Sequence, residues 1–330
     1  MTAPVEIKHL FKTYTRRRWF GKNAEKAVLK DVSLTLAEDH VLGLVGESGC
    51  GKSTLCKVLL GIEKATSGLV KADGKDISSL SKSGFKKLRR VMQVVYQDPY
   101  SSLDPRMNVR QLLSEPLDIH GLEKDPAARK AFLAELLASV GLSETQLERY
   151  PHEFSGGQRQ RICIARALAL DPKILVADEP VSALDVSVQA QILNLLKEIK
   201  KARRLSMLFV THDFAVARFL CDDIAVMYQG RIVERAPAED LFTNPQHPYT
   251  EALLAAVPSA DASRRADGNG AEEASEHPDR AGWPCPFAPR CRYAQAVCAK
   301  TPFELKEVFP RHACACCVMP FKTAKSKSAV

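Results

Sequence analysis

Nine consecutive residues, Gly46-Glu47-Ser48-Gly49-Cys50-Gly51-Lys52-Ser53-Thr54, follow the apolar run Val41-Leu42-Gly43-Leu44-Val45 and open a helical pattern. Strand, glycine loop and helix in that order make a phosphate-binding loop. Its glycines let backbone N–H groups converge on an anion, and the helix N-terminus adds favourable potential. Gly46, Ser48, Gly49, Cys50, Gly51 and Thr54 are then the cradle. Lys52 reaches the β- and γ-phosphates, and the Ser53 hydroxyl ligates Mg2+.

The rest of the chain fits a sheet built around that unit. Strand-like runs at 5–10, 28–36, 41–45, 91–96, 174–177, 206–211, 224–228 and 230–234 alternate with helical stretches after Lys52, Gln158 and Ser187. Such alternation predicts an α/β fold with a mainly parallel sheet and crossover helices. From about Pro99 to Ser155 the pattern is wholly helical, so a helical subdomain (about 99–165) is inserted into an ATPase domain over 1–257. Residues 258–283 are rich in Ala, Asp, Ser, Glu and Gly and read as a flexible linker. A small Cys-rich appendage at 284–321 and a disordered Lys/Ser tail at 322–330 follow.

No apolar run approaches the roughly 18 residues that span a bilayer, and the N-terminus lacks the apolar core of a secretion signal. The expectation is a cytosolic chain that meets membrane only through partners. The net charge of +8 invites a nucleic-acid reading. Its clusters (Arg16-Arg17-Arg18, Lys86-Lys87, Arg89-Arg90, Lys200-Lys201, Arg203-Arg204) are scattered and lack interleaved aromatics, which favours solvated surface. Of ten cysteines, Cys50, Cys56, Cys163 and Cys221 stand alone, whereas Cys285, Cys291, Cys298, Cys314, Cys316 and Cys317 crowd the last fifty residues. In a cytosolic chain such crowding suggests metal rather than disulfides.

Ile174-Leu175-Val176-Ala177-Asp178-Glu179 is an apolar strand ending in two acids. Beside a phosphate loop, Asp178 can hold Mg2+ through water, and Glu179 can orient or deprotonate the attacking water. Ser155-Gly156-Gly157-Gln158 is a second glycine turn opening a helix, with Ser155 as N-cap. One nucleotide needs one cradle. The second therefore serves a nucleotide held by another subunit, which predicts an ATPase that closes as a dimer around ATP.

These residues resemble the ATP-binding cassette family over 5–254, with Phe154 replacing the commoner Leu before the Ser155 turn. The resemblance implies a P-loop NTPase (RecA-like) core with an antiparallel β edge. It makes Gln97 the residue that senses Mg2+ and couples to a transmembrane partner, and Asp185 of Ser182-Ala183-Leu184-Asp185 part of a loop touching the opposite subunit. His212 looks like the switch histidine at the γ-phosphate, and Tyr14, with Phe11 as competitor, the aromatic stacked on adenine. The runs Tyr96-Gln97-Asp98-Pro99-Tyr100-Ser101-Ser102-Leu103-Asp104-Pro105-Arg106 and Asn244-Pro245-Gln246-His247-Pro248-Tyr249-Thr250 are similar to the peptide/nickel importer subfamily.

That likeness implies a bacterial ATPase subunit powering uptake of di- and oligopeptides or related solutes. It would sit on the cytoplasmic face of the inner membrane and pair with a related but different ATPase. Two permeases and an external substrate-binding protein complete the expected assembly, without nucleic acid. The likeness also assigns Cys285, Cys291, Cys298 and Cys314 to a [4Fe–4S] centre acting as a structural staple. Zinc and unligated thiols are the alternatives, and Cys316 and Cys317 compete for the fourth place. Rival readings are a soluble cassette ATPase acting on DNA or ribosomes, an exporter ATPase, and a redox sensor that gates transport. Co-purifying membrane subunits would separate the first rival from the importer.

Overall fold

The computed structural model describes residues 3–16, 24–256 and 277–318. Arg17 and Arg18, most of the expected linker and the 322–330 tail lie outside them. In chain order the elements begin with β1 (Val5–Arg16), β2 (Ala24–Leu36), β3 (Val41–Val45), α1 (Lys52–Leu59), β4 (Ser67–Ala72) and β5 (Lys75–Asp76). Then come α2 (Lys82–Val91), β6 (Met92–Val95), α3 (Pro99–Ser102), α4 (Val109–His120), α5 (Pro126–Ser139) and α6 (Gly156–Leu168). The second half contains β7 (Ile174–Asp178), α7 (Val186–Arg203), β8 (Ser206–Thr211), α8 (Phe214–Leu220), β9 (Asp223–Tyr228) and β10 (Arg231–Pro237). Helices α9 (Ala238–Thr243) and α10 (Pro248–Ala255) and the hairpin β11 (Lys306–Phe309) and β12 (His312–Cys314) complete it.

The main sheet runs β11-β12-β10-β9-β3-β8-β7-β6, and its β9-β3-β8-β7-β6 part is parallel. Every residue of β3, β8 and β9 is buried. Near-continuous apolar strands of this kind, polar only at Ser206, Thr211 and Asp223 at their ends, are what a sheet covered on both faces requires. Period-two alternation splits them between two cores. Val41, Val45, Met207 and Phe209 face the helical segment with Leu113, Leu137 and Ile164. Leu42, Leu44, Leu208 and Val210 face α1 and an antiparallel sheet ordered β2-β1-β4-β5, with Leu10, Leu29 and Leu55.

The helical insertion follows from local signals. Asn108 caps α4 in a reciprocal box with Gln111, and Gly121 in a left-handed conformation ends it. Asp125 caps α5, with Pro126 at its first turn. These are the start and stop chemistries that favour helix.

The cysteine segment, expected as an appendage, extends the main sheet instead. Strand β12 pairs with β10 through Glu234–Cys314 and Arg235–Ala313. Phe287 is buried against Tyr228 and Tyr249, each ring 5.4 Å away. Burying one such ring contributes about 1.5–3 kcal/mol. His312 Nε2 lies 2.7 Å from Glu234 Oε1 inside the seam.

Arg311 Nη2 donates to Asp223 Oδ1 at 2.9 Å, tying the hairpin to β9. Burial alone would raise the Asp223 carboxyl, yet His40, Arg311 and Arg235 hold it below the usual carboxylate range. A lowered carboxyl stabilises the fold above its unfolded pKa of about 4, and that contribution is lost as pH falls through the folded value. Asp223→Asn is expected to cost about 1.5–3 kcal/mol at neutral pH. In urea titrations the difference from the unmodified chain should shrink as the pH drops through the acid range.

Candidate functional site

Parallel register brings the chemistry to one edge. Val45 pairs with Thr211, and Val210 pairs with Asp178. The C-terminal tips of β3, β8 and β7 are therefore level, and the loop after β3 stands beside Asp178, Glu179 and His212. Ligands of open parallel sheets bind at this carboxyl edge.

The phosphate loop is folded tightly against the sheet. A Cβ on Gly46 would lie 2.2 Å from the Met227 carbonyl oxygen, so only glycine fits there. Lys52 is buried and donates to the Gly46 carbonyl at 2.6 Å and the Glu47 carbonyl at 3.1 Å. Ser53 Oγ donates to Asp178 Oδ1 at 3.4 Å. Burial pushes the Asp178 carboxyl up and the Glu179 carboxylate adds to this, against the Ser53 hydrogen bond. A group in that position gains from a divalent cation, which removes the cost of its charge.

Glu179 has φ of 50°, a left-handed conformation rare for a side-chain-bearing residue. Its N–H donates to the Val210 carbonyl at 3.0 Å, which holds the turn. Backbone strain of this kind persists where neighbours over-determine it, and it gathers at functional sites. The Glu179 carboxylate lies 3.8 Å from Lys52 Nζ and 3.1 Å from His212 Nδ1.

A cavity of about 590 Å³ opens over the loop, lined by Ser48, Gly49, Cys50, Gly51, Lys52, Ser53 and Thr54 together with Gln97 and Glu179. Sequence reasoning missed five further lining residues, Lys26, Ala27, Val28, Lys30 and Gln229. The two lysines come from β2 and suit a polyanion, but only the sheet pairing brings them there. Tyr14 does not line this cavity. It pairs with Lys26 across the β1–β2 ladder and carries the Lys12 ammonium 4.5 Å above its ring. Phe11 is exposed on the same strand.

The second cradle has the expected local form. Ser155 caps α6, accepting from the Gln158 N–H at 3.3 Å, while Gln158 Oε1 accepts from the Ser155 N–H at 3.1 Å. A Cβ on Gly157 would lie 2.4 Å from Val188 Cγ1, so the bare backbone is a packing requirement as well. None of Ser155, Gly156, Gly157, Gln158 or Asp185 lines the cavity over the Lys52 loop.

All six C-terminal cysteines line one further cavity of about 170 Å³, with His247 in its wall. Its space far exceeds the ~30 Å³ of one water, and its donors are soft. Cys317 and Cys298 sulfurs are 3.6 Å apart, and Cys285 Sγ is 4.0 Å from His247 Nε2. Burial pushes the Cys285 thiol up to about 11 and the Cys316 thiol up to about 12, and it lowers His247 to about 3. The ligand set expected of Cys285, Cys291, Cys298 and Cys314 is met only as a shared lining. Among the described residues no three of His, Cys, Asp or Glu converge closely enough to hold one metal ion. The spacing carried no signal for His247, which joins the thiols only through the fold.

Comparisons with known proteins agree with this geometry. Residues 29–182 match the ABC transporter family, and residues 233–298 match the oligopeptide/dipeptide transporter C-terminal region. A putative peptide import ATP-binding protein of Brucella ovis is 44% identical over 319 residues, covering 96% of this chain and 98% of that protein. The oligopeptide transport ATP-binding protein OppF of Bacillus subtilis is 48% identical, over 78% of this chain and 83% of its own length. Among solved structures, the dimeric cassette MJ0796 bound to ADP and Pi superposes with a TM-score of 0.63 at 30% identity. It covers 71% of this chain and 98% of that one. CbiO1 of Clostridium perfringens, part of an ABC transporter complex, gives 0.64 at 27% identity over 73% and 91%. The chain belongs to the ABC transporter family and is one of its ATPase subunits. Within that family it carries the C-terminal region of the oligopeptide/dipeptide transporters. Among the described residues no helix is long and apolar enough to cross a membrane.

Proposed function

We propose that this subunit drives uptake of di- and oligopeptides, as one half of a pair that closes around ATP. ATP is gripped by the Lys52 loop of one subunit and the Ser155 turn of the other. Ser53, Asp178 and Gln97 hold Mg2+, Glu179 activates water, and His212 meets the γ-phosphate. Asp185 lies along the seam, and Tyr14 carries the adenine. The observation that carries this reading is the separation of the two cradles. The Ser155 turn has its cap formed and its serine exposed, but it lies outside the cavity that the chain's own phosphate loop lines. The dimeric state of MJ0796 and the peptide-import names of the relatives support the same assembly.

The partner is proposed to be a different ATPase of the same family, with two permeases and an external binding protein. The assembly belongs on the cytoplasmic face of a bacterial inner membrane. Gly156→Ala, whose added Cβ would meet only Leu184 Cδ2 at an ordinary 3.5 Å, tests the shared site. Turnover in the assembled transporter is expected to fall tenfold or more, while ATP affinity of the isolated chain stays within about twofold. Equal loss of both would mean that the turn serves its own chain's nucleotide.

Six thiols line one cavity, and a soft-metal centre held by Cys285, Cys291, Cys298 and one of Cys314, Cys316 or Cys317 requires these side chains to draw closer together than they stand here. A [4Fe–4S] centre is the proposed occupant, with zinc as the alternative. Either would supply cross-linking of loops that have little core of their own. Iron and sulfide analysis of anaerobically purified protein, against zinc, decides between them.

A further inference from the structure

The cysteine segment reaches the nucleotide site through one side chain. Arg290 lies between Cys285 and Cys291, in the single 3-10 turn Ala288–Arg290. Its backbone is fixed from both sides. The Ala288 N–H donates to the Cys285 carbonyl at 3.1 Å, the Arg290 N–H to the Phe287 carbonyl at 2.9 Å, and the Cys291 N–H to the Ala288 carbonyl at 3.2 Å. From there the guanidinium Nη1 donates to both carboxylate oxygens of Glu47, at 3.2 and 3.3 Å. Glu47 is the second residue of the phosphate loop. Its own N–H donates to the Tyr249 hydroxyl at 3.1 Å, so backbone and side chain are both held from the C-terminal part of the chain.

Glu47 and Arg290 both stand in the wall of a cavity of about 400 Å³, whose lining also includes Ser48, Gly49, Tyr228, Pro286 and Pro289. The Phe287 ring, 5.7 Å from the guanidinium, and the Tyr228 hydroxyl, 3.5 Å from Nη1, place the arginine. Charge accounts for its contact with Glu47. A free carboxylate beside the phosphate loop repels a triphosphate, and a guanidinium whose Nη1 meets both of its oxygens offsets that charge and limits where the carboxylate can point.

We propose that Arg290 is a positioning residue for ATP, acting through Glu47: it neutralises and holds the one acid of the phosphate loop. The Cys285–Cys291 segment thereby sets nucleotide affinity without touching the nucleotide. The proposal rests on the loop being the ATP site, for which Lys52→Ala is the control.

The test is steady-state ATPase kinetics and binding of a fluorescent ATP analogue, on the full chain in its transporter. Both side chains of the pair are part-exposed, so the expected effect is modest. Arg290→Ala should raise KM for ATP about three- to fivefold with kcat within about twofold. Arg290→Lys should stay near the unmodified value. Glu47→Gln in the Arg290→Ala background should return KM to within about twofold, because the acid that needed neutralising is gone. An unchanged KM in Arg290→Ala overturns the proposal. So does a double variant no better than Arg290→Ala, since the effect would then not pass through Glu47. If Lys52→Ala binds the analogue as the unmodified chain does, the loop itself is not the site. If only Arg290→Ala does, the arginine alone loses its role.

Discussion

Glu179→Gln is expected to bind ATP at least as tightly as the unmodified chain and to lose about a hundredfold or more in turnover. The amide keeps the size and hydrogen-bonding reach of the carboxylate but cannot take a proton, and general base catalysis contributes roughly 10²–10⁴ in rate. Glu179 lines the cavity over the phosphate loop, but its negative charge repels phosphate rather than binding it. Its carboxylate lies between Lys52 Nζ at 3.8 Å and His212 Nδ1 at 3.1 Å, and the left-handed turn at φ 50° aims it there. Removing a negative charge near the γ-phosphate also favours retention of the nucleotide. Phosphate release and equilibrium nucleotide binding, measured on the same preparation, separate the two effects. Turnover within tenfold of the unmodified chain would discard the role.

Lys52→Ala is expected to act on the other quantity, weakening nucleotide binding by about a hundredfold or more. Lys52 is buried, and its ammonium is held by two loop carbonyls, at 2.6 and 3.1 Å. A charge kept that way is a preformed phosphate ligand, and one charge-assisted hydrogen bond in a shielded site is worth about 1.5–3 kcal/mol. Loss of the charge also leaves Glu179 and Asp178 facing the phosphates without compensation. Turnover falls because the site is empty at accessible ATP concentrations. A variant that binds normally yet turns over slowly would reverse the assignments of Lys52 and Glu179.

The sheet and the nucleotide loop were legible because their signals are local. Strand β3, the glycine loop and α1 are contiguous, and the two acids end an apolar run, so spacing alone carried them. Strands β4 and β5 escaped because they are short and partly exposed, β4 being defined by pairing with β1 and β5 by pairing with β4. Strand β11 is a charged segment that becomes a strand only by pairing with β12, and β12 only against β10. The same physics hid Lys26, Lys30 and Arg290 from the sequence. Each is an ordinary basic residue whose neighbour lies across the fold, 243 positions away for Arg290 and Glu47. The motif Asn244-Pro245-Gln246-His247-Pro248-Tyr249-Thr250 was visible as a resemblance. Its physical role was not, because His247 meets the thiol cavity and Tyr249 meets Glu47 only in three dimensions.

The claim on which the account turns is that two chains share each ATP. The direct measurement is a structure of the complete transporter, loaded with Mg-ATP and held by Glu179→Gln in this subunit. The account predicts Ser155 Oγ and the Gly157 N–H within about 3 Å of the γ-phosphate bound by the partner ATPase's loop. A Ser155 turn directed into solvent or toward its own chain, with the partner's nucleotide fully enclosed, would contradict it.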